Sequence, residues 1–421
     1  MVMPVLAISA KEYPDYSAFL VGLAIGGYGL TQALLQIPMG VLSDKIGRKP
    51  IIIGGLLIFA IGSMVAATAD SLVWVVIGRF LQGAGAIAGA IMALAGDLSR
   101  EKQRPKVMAV IGISIGFSFY LALLIGPVIA TKFGLSGIFL LTGALAFICI
   151  FLVIFVVPDA TNVAPIGDTL PVVQDVKKLV SHPDLARLNI SVLLLHMLIT
   201  LLFVQIPVLL VDLNWPLAKH WQAYLVVLVA SVIGLLGLMA AASKYKNAVM
   251  QLSVGGLAVV FLCMVFSQNS LFYLILLISL FFTCFNYLEA NFPAMVSNIA
   301  PAGKKGSAMG IYASFQFFGA FIGGVLSGSI SELLSIQWVF VLASILCCVW
   351  LVLIKGLNAT NRLKRYTLST NKQTSSLALK QLSQLEGVVD ITVVPEEQVM
   401  YLKAEQHFDI QQARLVLNIK E

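Results

Sequence analysis

Long apolar segments separated by short polar loops dominate the chain. A hydrocarbon core of about 30 Å requires roughly 20 consecutive apolar residues in a helix, and eleven segments approach or exceed that length. They lie at approximately 17–40, 51–69, 72–95, 107–130, 135–157, 189–211, 221–241, 248–267, 271–293, 307–329 and 335–356. The segment Met1–Ser9 is shorter, and we interpret it as the outer end of a truncated first helix. The pattern predicts an all-α polytopic membrane protein with two six-helix bundles.

Polar interruptions of this pattern predict the domain boundaries. The predicted units are an N-terminal helix bundle at 1–157, a cytoplasmic linker at 158–188, a C-terminal helix bundle at 189–357 and a second linker at 358–376. The two bundles resemble each other at an offset of about 200 residues, since similar basic loops open similar glycine-rich helices at Lys106 and Gly306.

The last part of the chain, 377–421, has a different pattern. Helical periodicity at 377–385 and 408–419 flanks two alternating segments at 388–394 and 398–403, which predict strands. With 365–369 as a first strand, the order is β-α-β-β-α. This order predicts a small α+β ferredoxin-like domain in the cytoplasm.

Charge determines the predicted orientation. Only 11% of the 421 residues are charged, against roughly 25% in a soluble protein. The net charge of +7 comes from lysines and arginines concentrated in alternate loops, so it indicates membrane orientation and no nucleic-acid partner. The loops with fewer basic residues contain Lys11, Lys132 and Lys219. The asymmetry places the loop around Asp44, the central linker and the C-terminus in the cytoplasm.

The cysteines and the polar residues of the spans do not indicate the active site of an enzyme. All five cysteines lie in apolar segments without metal-site spacing, so we expect no metal, no cofactor and no disulfide framework. The spans contain no Ser/His/Asp or paired-carboxylate arrangement, and we expect that the protein is not an enzyme.

Three polar groups inside apolar spans are candidates for function. A charge at the bilayer centre costs about 2.5–3.5 kcal/mol on insertion scales, so each needs a reason. Arg79, with Gln82 on the same face, would tune a proton site or bind an anionic group; alternatively, backbone carbonyls and neighbouring helices satisfy it. Glu289, with Asn286, would exchange a proton or belong to a cytoplasmic gate. Histidine as a residue type titrates in the useful range, so His196 is the third candidate, although a packing role is the alternative.

Two further sets of residues suggest roles in a cavity or in packing. Tyr28, Gln32 and Gln36 form a helical stripe that would line a cavity or bond another helix. Gly112 and Gly116 are spaced like a small-residue packing motif, so they predict close helix packing.

The segment Gly40–Pro50 is a dense charge cluster between two spans. Its glycines and proline predict a tight turn, and Asp44 and Arg48 are spaced to share one face of a helical turn. It is either a cytoplasmic loop that obeys the positive-inside rule or a conformational latch.

These segments also carry a resemblance to a known family. The pattern Gly40-x-Leu42-x-Asp44-x-x-Gly47-Arg48-Lys49 resembles motif A of the major facilitator superfamily, and Ile77–Gly85 resembles its motif B. Gly126-Pro127 is similar in part to motif C of the proton-driven drug antiporters. The resemblance implies two parallel six-helix repeats joined by a cytoplasmic linker.

By the same resemblance, Arg48 would pair with Asp97 at the end of the fourth helix. Asp44 would meet the N-terminus of the eleventh helix near Gly303–Ser307, where the helix dipole favours a carboxylate. Both contacts would close the inner face.

The function implied is proton-coupled efflux of small organic molecules by alternating access. A metabolite uniporter or symporter is the alternative of the same class, and a non-transporting membrane sensor that uses the C-terminal domain is the alternative of a different class. The expected partners are a lipid bilayer, a small-molecule substrate and protons, with the protein a monomer in the bacterial inner membrane.

Overall fold

The computed structural model describes residues 1–99, 103–158, 173–266, 270–301, 304–357, 364–369, 376–394, 399–404 and 408–417. Nine helices in this part of the chain are long and apolar enough to cross a membrane. Two of them turn back at a non-helical residue and cross twice, which gives eleven crossings. The chain is therefore a multi-pass membrane protein.

The helices of the first half begin with a short one at the place of the predicted truncated helix. They are α1 (Met3–Ser9), α2 (Ala18–Ile46), α3 (Arg48–Ala67), α4 (Leu72–Ala84), α5 (Ala88–Asp97) and α6 (Arg104–Phe155). Helices α4 and α5 form one span with a break between them, and α6 contains two spans that meet at Gly134, where φ is +65°. Val5 and Leu6 of α1 are fully buried, which fixes this short helix against its neighbours.

The second half follows a short surface helix, α7 (Val173–Val180). Its helices are α8 (Pro183–Asp212), α9 (His220–Met264), α10 (Leu271–Ile299), α11 (Lys305–Leu333) and α12 (Ile336–Ile354). Helix α9 contains two spans that meet at Tyr245. Helix α8 begins six residues earlier than the predicted span, because Pro183 starts the helix and the side chain of His182 caps it by accepting from the Leu185 amide.

The antiparallel course of the helices gives the bundle two ends. We call the end that carries Gly47, α7 and the start of α11 the basic end, and the opposite end, which carries residues 10–17 and 213–219, the outer end. The largest core cluster lies in the second half and includes Phe281, Phe282 and Trp350, all almost fully buried.

The C-terminal segment forms a three-stranded antiparallel sheet with two helices. The strands are β1 (Lys364–Ser369), β2 (Val388–Val394) and β3 (Val399–Ala404), with β3 in the centre, and the helices are α13 (Ser376–Ser383) and α14 (Ile410–Leu417). Leu382 of α13 and Met400 and Leu402 of β3 are buried in a separate small core. The linker residues 358–363 and 370–375 lie outside the described part of the chain.

Candidate functional site

A polar cluster in the second half joins three helices at mid-length. His196 comes from α8, Glu289 from α10 and Gln316 from α11. The Nε2 atom of Gln316 lies 2.7 Å from Nε2 of His196 and 3.3 Å from Oε1 of Glu289. The second carboxylate oxygen of Glu289 lies 3.8 Å from Nε2 of His196. The two titratable residues singled out separately by the sequence are therefore neighbours.

Partial exposure distinguishes this cluster from an ordinary buried pair. The side chain of Glu289 is 34% exposed and that of His196 16% exposed. Yet Oε2 of Glu289 is itself buried and has no hydrogen-bond partner in the described residues. The hydroxyl of Tyr312, one turn before Gln316, is buried and unpartnered within the same described region. An incompletely satisfied carboxylate is able to take up a proton or a donor group.

Asn286 lies on α10 one turn before Glu289 and connects the two halves. Its Nδ2 donates to the hydroxyl of Tyr120 on α6 at 2.5 Å. Phe119, next to Tyr120, makes an edge contact with Phe203 of α8. The cluster thus lies close to the contact between the halves.

The candidate arginine of the first half is satisfied by its own half. Arg79 donates from Nε to the Ala24 carbonyl at 3.0 Å and from Nη1 to Oε1 of Gln82 at 2.6 Å. Gln82 in turn donates to Oγ of Ser63 at 2.7 Å, and the guanidinium lies 5.0 Å from the ring centroid of Tyr28. These contacts fit the structural interpretation of Arg79 and leave its functional role a prediction.

The predicted polar stripe of α2 divides into two environments. Gln32 and Gln36 are buried and hydrogen-bonded to each other at 3.1 Å. Tyr28 instead contacts Arg79 and the edge of Phe317 from α11. The glutamine pair is a helix-internal contact in this conformation, and Tyr28 lies between the halves.

The charged segment at the basic end forms a compact hydrogen-bonded turn. Helix α2 ends at Ile46 and α3 begins at Arg48, and Gly47 between them has φ of +105°, a conformation that strains any residue with a side chain. Arg48 donates to Asp44 at 2.6 Å, to Oγ of Ser43 at 3.1 Å and to Asp97 at 3.0 Å. The Arg48–Asp97 contact implied by the resemblance is therefore present.

The Asp44 contact is expected near Gly303–Ser307, and the first residue of that segment lies outside the described part of the chain. Ser43 and Gly40 are buried, whereas Asp44 and Ile46 at the end of α2 are exposed. The latch role of the segment stays a prediction.

The two halves close tightly along what we call the outer seam, residues 18–29 of α2 and 317–328 of α11. A Cβ atom added at Gly22 would overlap the Gly324 carbonyl oxygen, and one at Gly26 would lie 2.7 Å from that of Phe321. One at Gly29 would lie 2.5 Å from the Phe317 carbonyl oxygen. Glycine is required for this backbone approach, and the outer end is closed here.

The predicted packing of Gly112 and Gly116 is wrong for this structure. No described atom lies within 4 Å of a Cβ built at either glycine, because the basic-end half of α6 stands away from its neighbours. Val110, Ile113 and Phe117 on the same stretch are correspondingly exposed. Gly126 does pack closely, since its Cβ would lie 2.9 Å from the Met1 carbonyl oxygen. Pro127 lies inside α6, and its carbonyl accepts from the Thr131 hydroxyl.

Gln316 is the functional candidate that the sequence reasoning missed. It lies in a glycine- and aromatic-rich helix where a single amide is inconspicuous. Its spacing of four from Tyr312 is the signal that would have found it, since two polar residues one turn apart share a face of an otherwise apolar helix.

Comparisons with known proteins agree with this architecture. The family model described as Major Facilitator Superfamily matches residues 1–285 and 238–385. Inner membrane transport protein YajR of Escherichia coli strain K12 is 38% identical over 98% of this chain and 93% of its own length. Multidrug resistance protein MdtL of Citrobacter koseri is 30% identical over 49% of this chain and 51% of its own. The human organic anion transporter MFSD10 has the same fold, with a TM-score of 0.58 and 20% identity over 80% of this chain and 84% of that chain.

Proposed function

The chain belongs to the major facilitator superfamily and is a membrane transporter rather than an enzyme, and we propose that it exports small organic molecules in exchange for protons by alternating access. The observation that carries the proposal is the contact of Glu289 with His196 and Gln316 inside the spanning helices. The relative named as a multidrug resistance protein supports efflux as the direction.

Protonation would change the charge of this cluster inside the membrane-spanning helices, where an uncompensated charge is costly. In the arrangement described, His196 and Gln316 face a carboxylate that still has one unpartnered oxygen. A proton on Glu289 removes a charge from a medium of low dielectric constant and converts an acceptor into a donor. Either change alters which neighbouring side chains can remain in contact, and so biases the equilibrium between inward-open and outward-open states.

Two contacts between elements would carry that bias to the ends of the bundle. The outer seam holds α2 against α11 at the outer end. At the basic end, Asp44, Arg48 and Asp97 form the turn that we propose as the inner latch, with Asp44 reaching the start of α11 in the outward-open state. Helix α2 takes part in both, so closing one end and opening the other is a motion of one helix pair.

The proposal places the protein as a monomer in a bacterial inner membrane, with the basic end and the C-terminal module in the cytoplasm. The concentration of lysine and arginine at the basic end supports this orientation. The β-α-β-β-α order with a central β3 supports a ferredoxin-like accessory domain, whose role would be docking or ligand sensing.

Everted membrane vesicles with ethidium as the probe test the proposal. Imposing a pH gradient that is acidic inside should drive ethidium into vesicles containing the protein, and Glu289→Gln should abolish the response. Asp184→Asn is the matched control, because Asp184 is an exposed carboxylate at the start of α8. Accumulation without any dependence on the gradient would favour a uniporter. Failure to move a panel of cationic, neutral and anionic dyes would favour the sensor.

A further inference from the structure

We infer that Gln316 is a positioning residue that reads the protonation state of the His196–Glu289 pair and transmits it to the outer seam. The inference deepens the proposed function and rests on it. It follows from three features of the structure: the donor and acceptor pattern around Gln316, the ability of an amide to reverse that pattern, and the position of Gln316 on α11.

The donor and acceptor pattern determines which protons are present. Nδ1 of His196 lies 3.3 Å from the Val192 carbonyl oxygen, which only accepts, so Nδ1 carries a hydrogen. The amide nitrogen of Gln316 only donates, so Nε2 of His196, 2.7 Å away, accepts and the imidazole is neutral. The same amide nitrogen donates its second hydrogen to Oε1 of Glu289 at 3.3 Å. The contact with His196 requires a neutral imidazole, and the contact with Glu289 requires an acceptor oxygen, which the ionised carboxylate supplies.

Protonation of His196 on Nε2 requires the opposite orientation of the amide. A protonated His196 carries a hydrogen on Nε2, and a protonated Glu289 presents a hydroxyl. The Nε2 hydrogen of His196 would then face a donating nitrogen, and the hydroxyl of Glu289 is a donor as well. Rotation of the amide by about half a turn would bring its oxygen, which has two lone pairs, to the position of the nitrogen. The amide would then accept from both partners, so a glutamine can satisfy the proton-free and the fully protonated pair.

The other neighbours of Glu289 limit the alternatives. His196 faces it from α8 and Gln316 from α11, with the buried hydroxyl of Tyr312 one turn before Gln316. Asn286, on the same helix, is engaged by Tyr120 of α6. A tyrosine hydroxyl has an ordinary pKa of about 10, so this residue type stays protonated near neutral pH. Among the described neighbours, His196 and Glu289 are therefore the groups whose protonation Gln316 would sense.

The position of Gln316 links this change to the outer seam. The next residue, Phe317, has its carbonyl oxygen against Gly29 and its ring against Tyr28, both on α2. A reorientation of Gln316 acts on the backbone of α11 immediately beside a contact too tight for any side chain. A small rotation of α11 at this point would disturb the seam, because closely packed backbones have no slack to absorb it.

The test measures proton binding directly, without a transported substrate. Purified protein in lipid nanodiscs is titrated with pH, and the carboxyl C=O stretch of Glu289 is followed by difference infrared spectroscopy, assigned by its loss in Glu289→Gln. Gln316→Met removes both donated hydrogen bonds from the proton-free state. We expect the midpoint of the Glu289 band to move to higher pH by about one unit, a tenfold rise in proton affinity.

Gln205→Met is the matched control. Gln205 is a buried glutamine that joins the same two helices, α8 and α11, by donating to Ser327 at 2.8 Å, away from titratable groups singled out here. The variant Gln205→Met should leave the midpoint of the Glu289 band unchanged. Gln316→Asn, which retains the amide but shortens its reach, provides a second variant if Gln316→Met fails to fold, and it should shift the midpoint in the same direction.

The outcomes separate the two proposals. If the wild-type protein has no carboxyl band that Glu289→Gln removes, the proton site itself is wrong. If that band titrates but its midpoint in Gln316→Met or Gln316→Asn matches the wild type or moves to lower pH, the inference about Gln316 is overturned while the proton site stands.

Discussion

The carboxylate of Glu332 accepts a hydrogen bond of 2.7 Å from the backbone N–H of Phe19. Phe19 lies in the first turn of α2, where the amides have no partner within the helix. Ser17 caps that turn by accepting from the amide of Leu20 at 3.1 Å, and Glu332, from the last turn of α11, satisfies a further amide. A residue of the second half therefore completes the helix start of the first half and ties the outer ends together.

Glu332→Gln should loosen the outer end. The variant retains an acceptor oxygen but loses the negative charge that favours the helix N-terminus by about 0.3–1 kcal/mol at exposed sites. A bias of this size changes an equilibrium by a factor of about two to five. Spin labels at the exposed positions 68 and 334, in a background without native cysteines, should show more of the longer outer-end distance. Asp212→Asn, at an exposed carboxylate on the outer end of α8, should leave the distribution unchanged.

Asp15 should make the outer end of the first half sensitive to acid, because it joins the loop before α2 to the start of α4. Its carboxylate accepts from the Leu72 amide at 2.7 Å and from the Val73 amide at 3.0 Å. The hydrogen bond from the Leu72 amide is the main reason why the pKa of Asp15 lies below its usual value. A lowered pKa in the folded state means that the stabilisation is present above the unfolded pKa of about 3.9 and is lost as pH falls through the folded value.

The corresponding measurement compares melting temperatures of wild type and Asp15→Asn. The wild type should be the more stable of the two at pH 6, and the difference should shrink when the pH falls below about 4. Glu12→Gln, in the same loop, is the control. A constant difference across this range would show that the ionised carboxylate is not what holds the start of α4.

The spans could be predicted because the length of an apolar segment is a local property. The predicted strand at 388–394 coincides with β2, Val388–Val394, since strict alternation of apolar positions is also local. The cluster at Glu289 could be predicted only as separate residues: nothing near His196 in the sequence tells which helix packs against it. The outer seam was missed for the same reason, because glycines in α2 and α11 do not identify each other as partners.

The failure at Gly112 and Gly116 has a physical reason too. Small residues permit a close approach but do not require one, and the basic-end half of α6 has no described neighbour there. The Arg48–Asp97 contact came from the family resemblance, because two residues 49 positions apart carry no local signal of proximity.

Asp97→Asn should destabilise the protein far more than a matched exposed variant. The side chains of Arg48 and Asp97 are 8% and 2% exposed, so the variant leaves a buried guanidinium with one ionised partner fewer. We expect a loss of about 1–3 kcal/mol in the free energy of unfolding, the range for a buried group deprived of its partner. Asp184→Asn breaks the Asp184–Arg187 pair, whose side chains are 44% and 41% exposed, and should lose less than about 1 kcal/mol.

Asp44→Asn separates the latch from the stability of the turn. Arg48 retains Ser43 and Asp97, and the Asp44 side chain is 21% exposed against 2% for Asp97, so the variant should fold and melt closer to the wild type than Asp97→Asn does. It should nevertheless transport more slowly, because the inner latch that we propose requires the Asp44 carboxylate at the start of α11. Equal transport at equal expression would make this segment an ordinary positively charged loop.

Gly324→Ala should shift the protein toward an open outer end. The added methyl group would overlap the Gly22 carbonyl oxygen and come within 3.1 Å of the backbone at Gly26, and backbone atoms cannot move aside as a side chain would. Overpacking of this kind costs about 1–3 kcal/mol. This cost would destabilise the state in which the outer seam is closed and would be absent from an outward-open state. Labels at positions 68 and 334 should therefore report the longer distance. Gly112→Ala adds the same methyl group where no described atom lies within 4 Å, so it should leave both the distances and the folding unchanged or slightly stabilise its helix. If Gly324→Ala kept the short outer distance and the wild-type melting temperature, the outer seam would not be the contact that closes this end.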